Sequence, residues 1–197
     1  MINYKQENFF EQYLDVYDMP LTSNPDFILN KFNNMKILHI GCVDSLYYNK
    51  DRNLHIQLSR ITKSLFGYDI DINGLKQLEK DCPSVYFSNF DDVLSQEYDL
   101  VLVPEVIEHV NNVESFMDNL FSIKTKEYFI TAPYIGLFNS NIKHSGTRYK
   151  ELVHPDHKCW HSPYTLLNTC NKLLTKYPSS NTDMYILKST SVAIHIK

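Results

Sequence analysis

Between Met35 and Pro133 the chain alternates short apolar runs with stretches of helical spacing, and this alternation limits its fold more than any other feature. MKILHIGC (Met35–Cys42) is a compact, partly β-branched run ending near a glycine, which predicts a buried strand. Behind it, Leu54, Leu58, Ile61 and Leu65 recur at helical spacing. LFGYDI (Leu65–Ile70) predicts a second strand, Asn73–Lys80 a helix carrying Leu75 and Leu78, and Ser84–Asn89 a third strand. DLVLVPE (Asp99–Glu105) is apolar on both of its alternating faces, as a strand covered on both sides must be. Val113–Ile123 predicts a helix and EYFITAP (Glu127–Pro133) a further strand.

Strands that alternate with helices imply parallel β-α-β units joined by right-handed crossovers. Upstream, Phe9, Phe10, Tyr13, Leu14 and Tyr17 fall on one helical face, and a short helix is expected to begin near Asn24 with Pro25 at a first helical position. Downstream, Tyr134–His161 is a long polar stretch without periodicity. Ser162-Pro163 then opens a helix through Leu166, Leu167, Cys170 and Leu174. Met184–Lys188 and Ser191–Ile196 read as a closing hairpin turned at Ser189-Thr190, which makes that part of the sheet antiparallel. The expectation is an α/β chain with a mostly parallel sheet. Residues 1–34 form a helical segment packed on the core, and residues 35–197 form the rest of one globular domain.

Charge narrows the partners. The 197 residues carry a formal net charge of −4 and no dense Lys/Arg run. The basic stripe that nucleic acid or an anionic membrane would need is missing, and neither is an expected partner. The first residues, MINYKQENFFEQY, hold Glu7 and Glu11 and no long apolar run, so they do not read as a signal peptide, and no stretch is apolar for long enough to span a bilayer. Cys42, Cys82, Cys159 and Cys170 are widely spaced with no C-x-x-C pair. They read as free thiols in a reducing compartment, the cytoplasm.

In sheets of this kind ligands bind in the crevice beyond the carboxyl ends of the strands, here just after Ile40, Ile70, Asn89, Pro104 and Ala132. Gly41 allows either close approach of a ligand or simply a tight strand-to-helix turn. Val43 and Ser45 stand where a dinucleotide loop would carry more glycines, which disfavours a pyrophosphate and tilts the reading toward S-adenosylmethionine (SAM). Asp69 ends the second strand, where a carboxylate can accept both hydroxyls of an adenosine ribose. Asp71 is its rival but suits a helix cap, and both also read as turn residues. Asn89 offers an amide for an adenine edge and Phe90 a ring for its face. DLVLVPEVIEHV (Asp99–Val110) delivers Glu105, Glu108 and His109 to the crevice. Glu and His also ligate metals, but a third ligand at fixed spacing is missing, so no metal is expected.

Taken in order, these stretches resemble the class I SAM-dependent methyltransferases of the large methyltransferase-domain group. ILHIGCVDS is similar to that family's first motif, GYDID to its second, SNFDD to its third and DLVLVPEVIEHV to its fourth. YFITAP resembles its fifth strand, and HPDHKCWHSPYTL a segment that often ends H-x-x-F-S-P-x-T-L. The resemblance runs from about Met35 to Leu174. It implies a Rossmann-like three-layer sandwich, with a mostly parallel twisted sheet, a C-terminal antiparallel hairpin and helices on both faces. It also implies SAM as cofactor, with Gly41 beneath it, Asp69 at the ribose, and Cys42 and Ile70 among its contacts. Asn89 and Phe90 would bracket adenine, and Pro104 and Glu105 would line the methionine end. His39 stands where the family usually has an acidic residue near the methionine amino group, and Val43 and Ser45 replace its second and third glycines. These departures imply a reshaped pocket or lost activity.

The sulfonium of SAM is a good methyl donor, so the protein's work is mainly to hold donor and acceptor in line. An oxygen acceptor benefits from a base near neutral pKa, for which histidine is suited. The candidates are His109, His144, His154, His157 and His161, with His157 and His109 assigned the catalytic role. The histidine-rich stretch Tyr134–His161 is read as a lid over the acceptor, a small molecule or a sugar or polysaccharide precursor. The alternative is a catalytically silent SAM- or adenosine-binding protein. A nicotinamide dehydrogenase would need the full glycine motif, which is absent.

Overall fold

The computed structural model describes residues 13–44, 49–134, 136, 143–145, 148–150, 154–176 and 182–197. In chain order its strands are β1 (Val16–Met19), β2 (Lys36–Ile40), β3 (Ser64–Tyr68), β4 (Val85–Phe87), β5 (Glu97–Pro104), β6 (Lys124–Pro133), β7 (Lys143–Ser145), β8 (Arg148–Lys150), β9 (Thr182–Leu187) and β10 (Ser191–Ile196). The helices are α1 (Asn24–Lys31), α2 (Leu54–Leu58), α3 (Ile72–Asp81), α4 (Phe90–Val93), α5 (Val113–Ser122), α6 (Pro163–Thr169) and α7 (Asn171–Lys176).

One eight-stranded sheet runs in the order β1-β9-β10-β6-β5-β2-β3-β4, and β7 pairs with β8 apart from it. Only β10 opposes its neighbours β6 and β9; the other pairings in the large sheet are parallel. The layers follow from the period-2 alternation of strand side chains. On β5, Leu100 and Leu102 face one layer while Val101 and Val103 face the other, and on β2 Ile37 opposes Leu38 and Ile40 in the same way. One layer packs Phe27 and Ile28 of α1 and Leu58 of α2 beside Phe129 and Tyr185. The other packs Met117 and Leu120 of α5, Leu166 of α6 and Leu173 of α7 beside Tyr128 and Ile130. The expected three-layer α/β sandwich with its antiparallel C-terminal hairpin is what the chain adopts.

Helix starts are fixed by side-chain caps. Ser23 accepts from Asp26 N–H ahead of Pro25, Asp71 accepts from the N–H groups of Asn73 and Gly74, and Ser162 with Thr165 forms a reciprocal capping box. Asp71 is therefore the cap of α3, as its position suggested. Among the described residues, no helix is long and apolar enough to cross a membrane.

Three expectations are corrected. The helical face from Tyr4 to Tyr17 lies partly outside the described residues, but its end is not helical: Val16–Met19 is strand β1, paired in parallel with Met184–Leu187. An edge strand gains its hydrogen bonds from a partner far along the chain, and no local spacing reports that. The helix beginning at Leu54 stops at Leu58, and its C-cap Ser59 and the turn that follows hand the chain to β3. The helix after Ser162 breaks at Cys170 into α6 and α7.

Candidate active site

The strand order reverses between β2 and β5, so the crevice over their carboxyl ends is where this sheet can admit a ligand. Gly41 ends β2 with a φ of 75°, and a Cβ there would come 2.5 Å from Val106 Cγ2. The glycine is thus required by left-handed backbone and by the close approach of Val106. Cys42, expected beside the cofactor, is buried with Cys82, Leu75 and Leu78, and burial pushes its thiol well up. Its backbone rather than its side chain faces polar partners: Asn53 Nδ2 donates to the carbonyls of Cys42 and Val43 at 3.1 and 3.2 Å, while Asn53 Oδ1 accepts from Ile56 N–H. Asn53 thereby ties the loop after β2 to α2, a role hidden from sequence because an N-cap asparagine looks the same without it.

Asp69 follows β3 and accepts Val43 N–H on Oδ2 at 3.0 Å and Asp71 N–H on Oδ1 at 2.9 Å. A carboxylate has about four acceptor positions, so one on each oxygen is left over, which is the pattern a vicinal diol can fill. Next to it, Ile70 is 84% exposed, an apolar side chain with no apolar cover. Asn89 caps α4 by accepting Asp91 N–H at 3.2 Å, and Phe90 meets Tyr68 edge-on at 5.5 Å between ring centroids. The Asn89 carbonyl is therefore engaged, and its amide N–H groups are the part available to a base edge. Beneath the loop, His39 and His55 stack with their Nδ1 atoms 3.3 Å apart, and burial holds His39 well below its usual pKa. A neutral imidazole at this position supplies no counter-charge to an ammonium group.

Pro104 ends β5, and Glu105 next to it adopts a φ of 51°. Left-handed backbone costs a non-glycine residue about 1–2 kcal/mol and persists only where the surroundings impose it. Here Glu105 N–H donates to Thr131 Oγ1 at 3.1 Å, while Glu105 Oε1 accepts from Thr131 Oγ1 at 2.8 Å and from Asn24 Nδ2 at 3.2 Å. The carboxyl is turned toward α1 and β6, and burial raises its pKa to about 7 against the pull of these hydrogen bonds.

A turn over 107–109 then places Glu108 and His109. Glu108 is fully buried, and neither carboxyl oxygen has a hydrogen-bond partner among the described residues. Burial, helped by the charge of Glu105, lifts it to about 9. Glu108 Oε1 lies 3.7 Å from His109 Nε2 and 3.8 Å from His157 Nε2. One nitrogen from each of His109, His154 and His157 lies within 4.8 Å of the others. Burial pulls His157 down to about 4 and also lowers His109. The segment 154–161 is docked onto this turn: Lys158 N–H donates to Glu108 O at 2.9 Å, Lys158 Nζ donates to His109 O, and His161 N–H reaches Pro133 O at 3.4 Å. Cys159 Sγ stands 3.4 Å from His161 Nε2.

Of the other expected candidates, His144 lies on β7, and residues 135, 137–142, 146–147 and 151–153 of the expected lid fall outside the described residues. Three clustered imidazoles, two of them lowered by burial, beside a carboxyl with unfilled acceptors, make a donor set suited to a divalent cation. No metal was expected because Glu105, Glu108 and His109 lack a third ligand at fixed spacing; the fold brings His154 and His157 beside His109 by docking segment 154–161 on the turn after β5.

No family model matches the chain, and no curated protein matches its sequence. Among solved structures, a chain of the Pnkp1/Rnl/Hen1 RNA repair complex superposes with a TM-score of 0.61 and 19% identity over 88% of this chain, which spans 40% of that one. A SAM-dependent methyltransferase from Clostridium acetobutylicum ATCC 824 gives 0.60 at 11% identity, with 88% and 89% of the two chains covered. The DhpI–SAH complex, in which SAH is S-adenosylhomocysteine, gives 0.53 at 12% identity over 82% and 75%. The fold is that of SAM-dependent methyltransferases.

Proposed function

We propose that this chain is a SAM-dependent methyltransferase acting on an acceptor hydroxyl that is held at a divalent-cation site formed by His109, His154, His157 and Glu108. The observation that carries the reading is the pairing of two unlike half-sites across one strand-order reversal. Asp69 with Ile70 suits an adenosine, and the imidazole cluster with Glu108 suits a cation and its oxygen ligands.

SAM would supply a methyl group on a positive sulfur. Asp69 would accept the two ribose hydroxyls, Ile70 and Phe90 would cover the adenine faces, and the Asn89 amide would donate to its edge. The loop at Gly41 and Cys42, with Pro104 and the backbone of Glu105, would bound the methionine end. His39 contributes no charge there. On the other side, a cation would lower the acceptor hydroxyl's pKa. His109 and His157 would serve through it as neutral ligands: an imidazole near pKa 4 is a poor proton acceptor at pH 7 but presents the lone pair a metal needs. Glu108 would release its proton when a cation arrives, balancing the charge. Four free cysteines, three of them buried, fit a reducing cytoplasm.

The acceptor class is a small molecule or a sugar. A second reading takes RNA as acceptor, favoured by the likeness to a chain of an RNA repair complex despite the chain's acidic balance. Transfer of labelled methyl from SAM, with Mn²⁺ or with chelator, to pooled sugars, nucleosides and RNA oligonucleotides tests both. Cation-dependent label in one pool supports the reading and picks the class. SAH binding without label in any pool supports the silent binding protein instead.

A further inference from the structure

We infer that Asn24, on the first turn of α1, is a positioning residue of the acceptor pocket: with Thr131 it aims the Glu105 carboxylate, which makes the N-terminal helix a working part of the site. The inference rests on the cation site proposed above and extends it beyond the residues that would touch a ligand.

Asn24 has no local task. Ser23 already caps α1, and Pro25 fixes the backbone of the first turn. Asn24 is instead 91% buried, against Glu105 after β5 and Thr131 of β6. Its Nδ2 donates to Thr131 Oγ1 at 2.8 Å and to Glu105 Oε1 at 3.2 Å. Thr131, fully buried on β6, passes its own hydroxyl proton to the same Glu105 oxygen at 2.8 Å and accepts Glu105 N–H. The Ser191 hydroxyl, at the start of β10, bonds the carboxyl as well. Donors from three elements thus converge on one carboxyl that sits in left-handed backbone beside the turn carrying Glu108 and His109. The charge of Glu105 reaches Glu108 of the cation site, and carboxylates beside a metal are held by such outer partners.

Asn24 Oδ1 supports the same conclusion. It is buried and has no hydrogen-bond partner among the described residues. A purely structural asparagine would have both ends satisfied; this one keeps an acceptor that a bound molecule's hydroxyl can fill.

The test uses the full chain and two titrations, Mn²⁺ and SAH, with the melting temperature as a control. Asn24→Ala and Thr131→Val should each weaken Mn²⁺ binding about tenfold or more, the usual effect of losing an outer partner, and leave SAH affinity unchanged. Thr131→Ser, which keeps the hydroxyl, should bind Mn²⁺ as the wild type does. Wild-type Mn²⁺ affinity in a folded Asn24→Ala overturns the inference, as does a parallel loss of Mn²⁺ and SAH binding, which marks a merely structural role. If Asn24→Ala fails to fold, the Thr131→Val and Thr131→Ser pair decides alone. A wild type that binds SAH but no Mn²⁺ overturns the cation site, and this inference with it.

Discussion

Glu108 Oε1 lies 3.8 Å from His157 Nε2, with the carboxyl fully buried and the imidazole nearly so. Two groups that could form an ion pair remain neutral, because burial lifts the acid to about 9 and drops the base to about 4. Each is left with unfilled hydrogen-bonding atoms among the described residues, Glu108 with both oxygens and His157 with Nδ1. Such an arrangement is costly alone and becomes favourable around a positive charge.

The first prediction follows from Glu108. Its folded pKa is raised, so its contribution to stability is present below about pH 4.5 and is lost as pH rises toward 9. Without divalent cations, Glu108→Gln should therefore melt higher than the wild type at pH 8, and the gap should widen from pH 5 to pH 8.5. Mn²⁺ should raise the melting temperature of the wild type by mass action and that of Glu108→Gln much less. Equal Mn²⁺ responses in thermal melts would remove Glu108 from the site.

Asp69 and Asp71 separate binding from capping. Asp69→Ala should weaken SAH binding by about 1–3 kcal/mol, the cost of hydroxyls without a charged acceptor. It should also lower the melting temperature, since the amides of Val43 and Asp71 lose their acceptor. Asp71→Ala should cost about 1 kcal/mol of stability as a lost N-cap and leave SAH affinity nearly intact. Calorimetric titration that ranks the two the other way would exchange their roles.

The His39–His55 pair makes an acid-sensitive joint between β2 and α2. Burial holds His55 at about 3, so the folded chain resists a proton that the unfolded chain takes up near pH 6.5. The stability from this pair is present above pH 6.5 and lost as pH falls toward 3. The double variant His39→Leu/His55→Leu should show a smaller drop in melting temperature between pH 7 and pH 5 than the wild type. An unchanged drop would place the acid sensitivity elsewhere.

Gly41 and Val106 should be energetically coupled. Gly41→Ala meets a left-handed φ, worth about 1–2 kcal/mol, and a Cβ position 2.5 Å from Val106 Cγ2. Val106→Ala relieves the contact but not the φ, so it should recover part of the stability that Gly41→Ala loses. Denaturant unfolding of both singles and the double measures the coupling; strict additivity would mean that backbone conformation alone requires the glycine.

The sheet was legible wherever burial wrote itself into local pattern. DLVLVP alternates Leu100 and Leu102 against Val101 and Val103, and Asp71, Ser162 and Pro163 mark helix starts by their own chemistry. What was not legible depends on partners far along the chain. β1 owes its strand bonds to Met184–Leu187, so aromatic spacing around Tyr13 and Tyr17 misread it as helix. The three histidines gather only because segment 154–161 is bonded to the turn at 108–109, a contact no ligand spacing encodes. Asn24 reads as an ordinary first-turn residue until Glu105 and Thr131 are seen beside it.

The last prediction concerns His157 and His109, the pair assigned to catalysis. Both lie within 4 Å of Glu108 and belong to the cluster with His154. With an acceptor in hand, His157→Ala and His109→Ala should each cut turnover and leave SAM affinity nearly intact. A positioned proton-transfer group is worth about 10²–10⁴-fold in rate, and the loss of a cation partner produces a defect that extra cation can partly repair. Because burial holds His157 at about 4, the repairable defect is the expected one: raising Mn²⁺ should restore part of the turnover of His157→Ala. A large loss that Mn²⁺ does not touch would return His157 to the role of general base, with its pKa raised on acceptor binding. If turnover is unchanged in both variants, neither histidine acts on the acceptor, and segment 154–161 serves the pocket by shape alone.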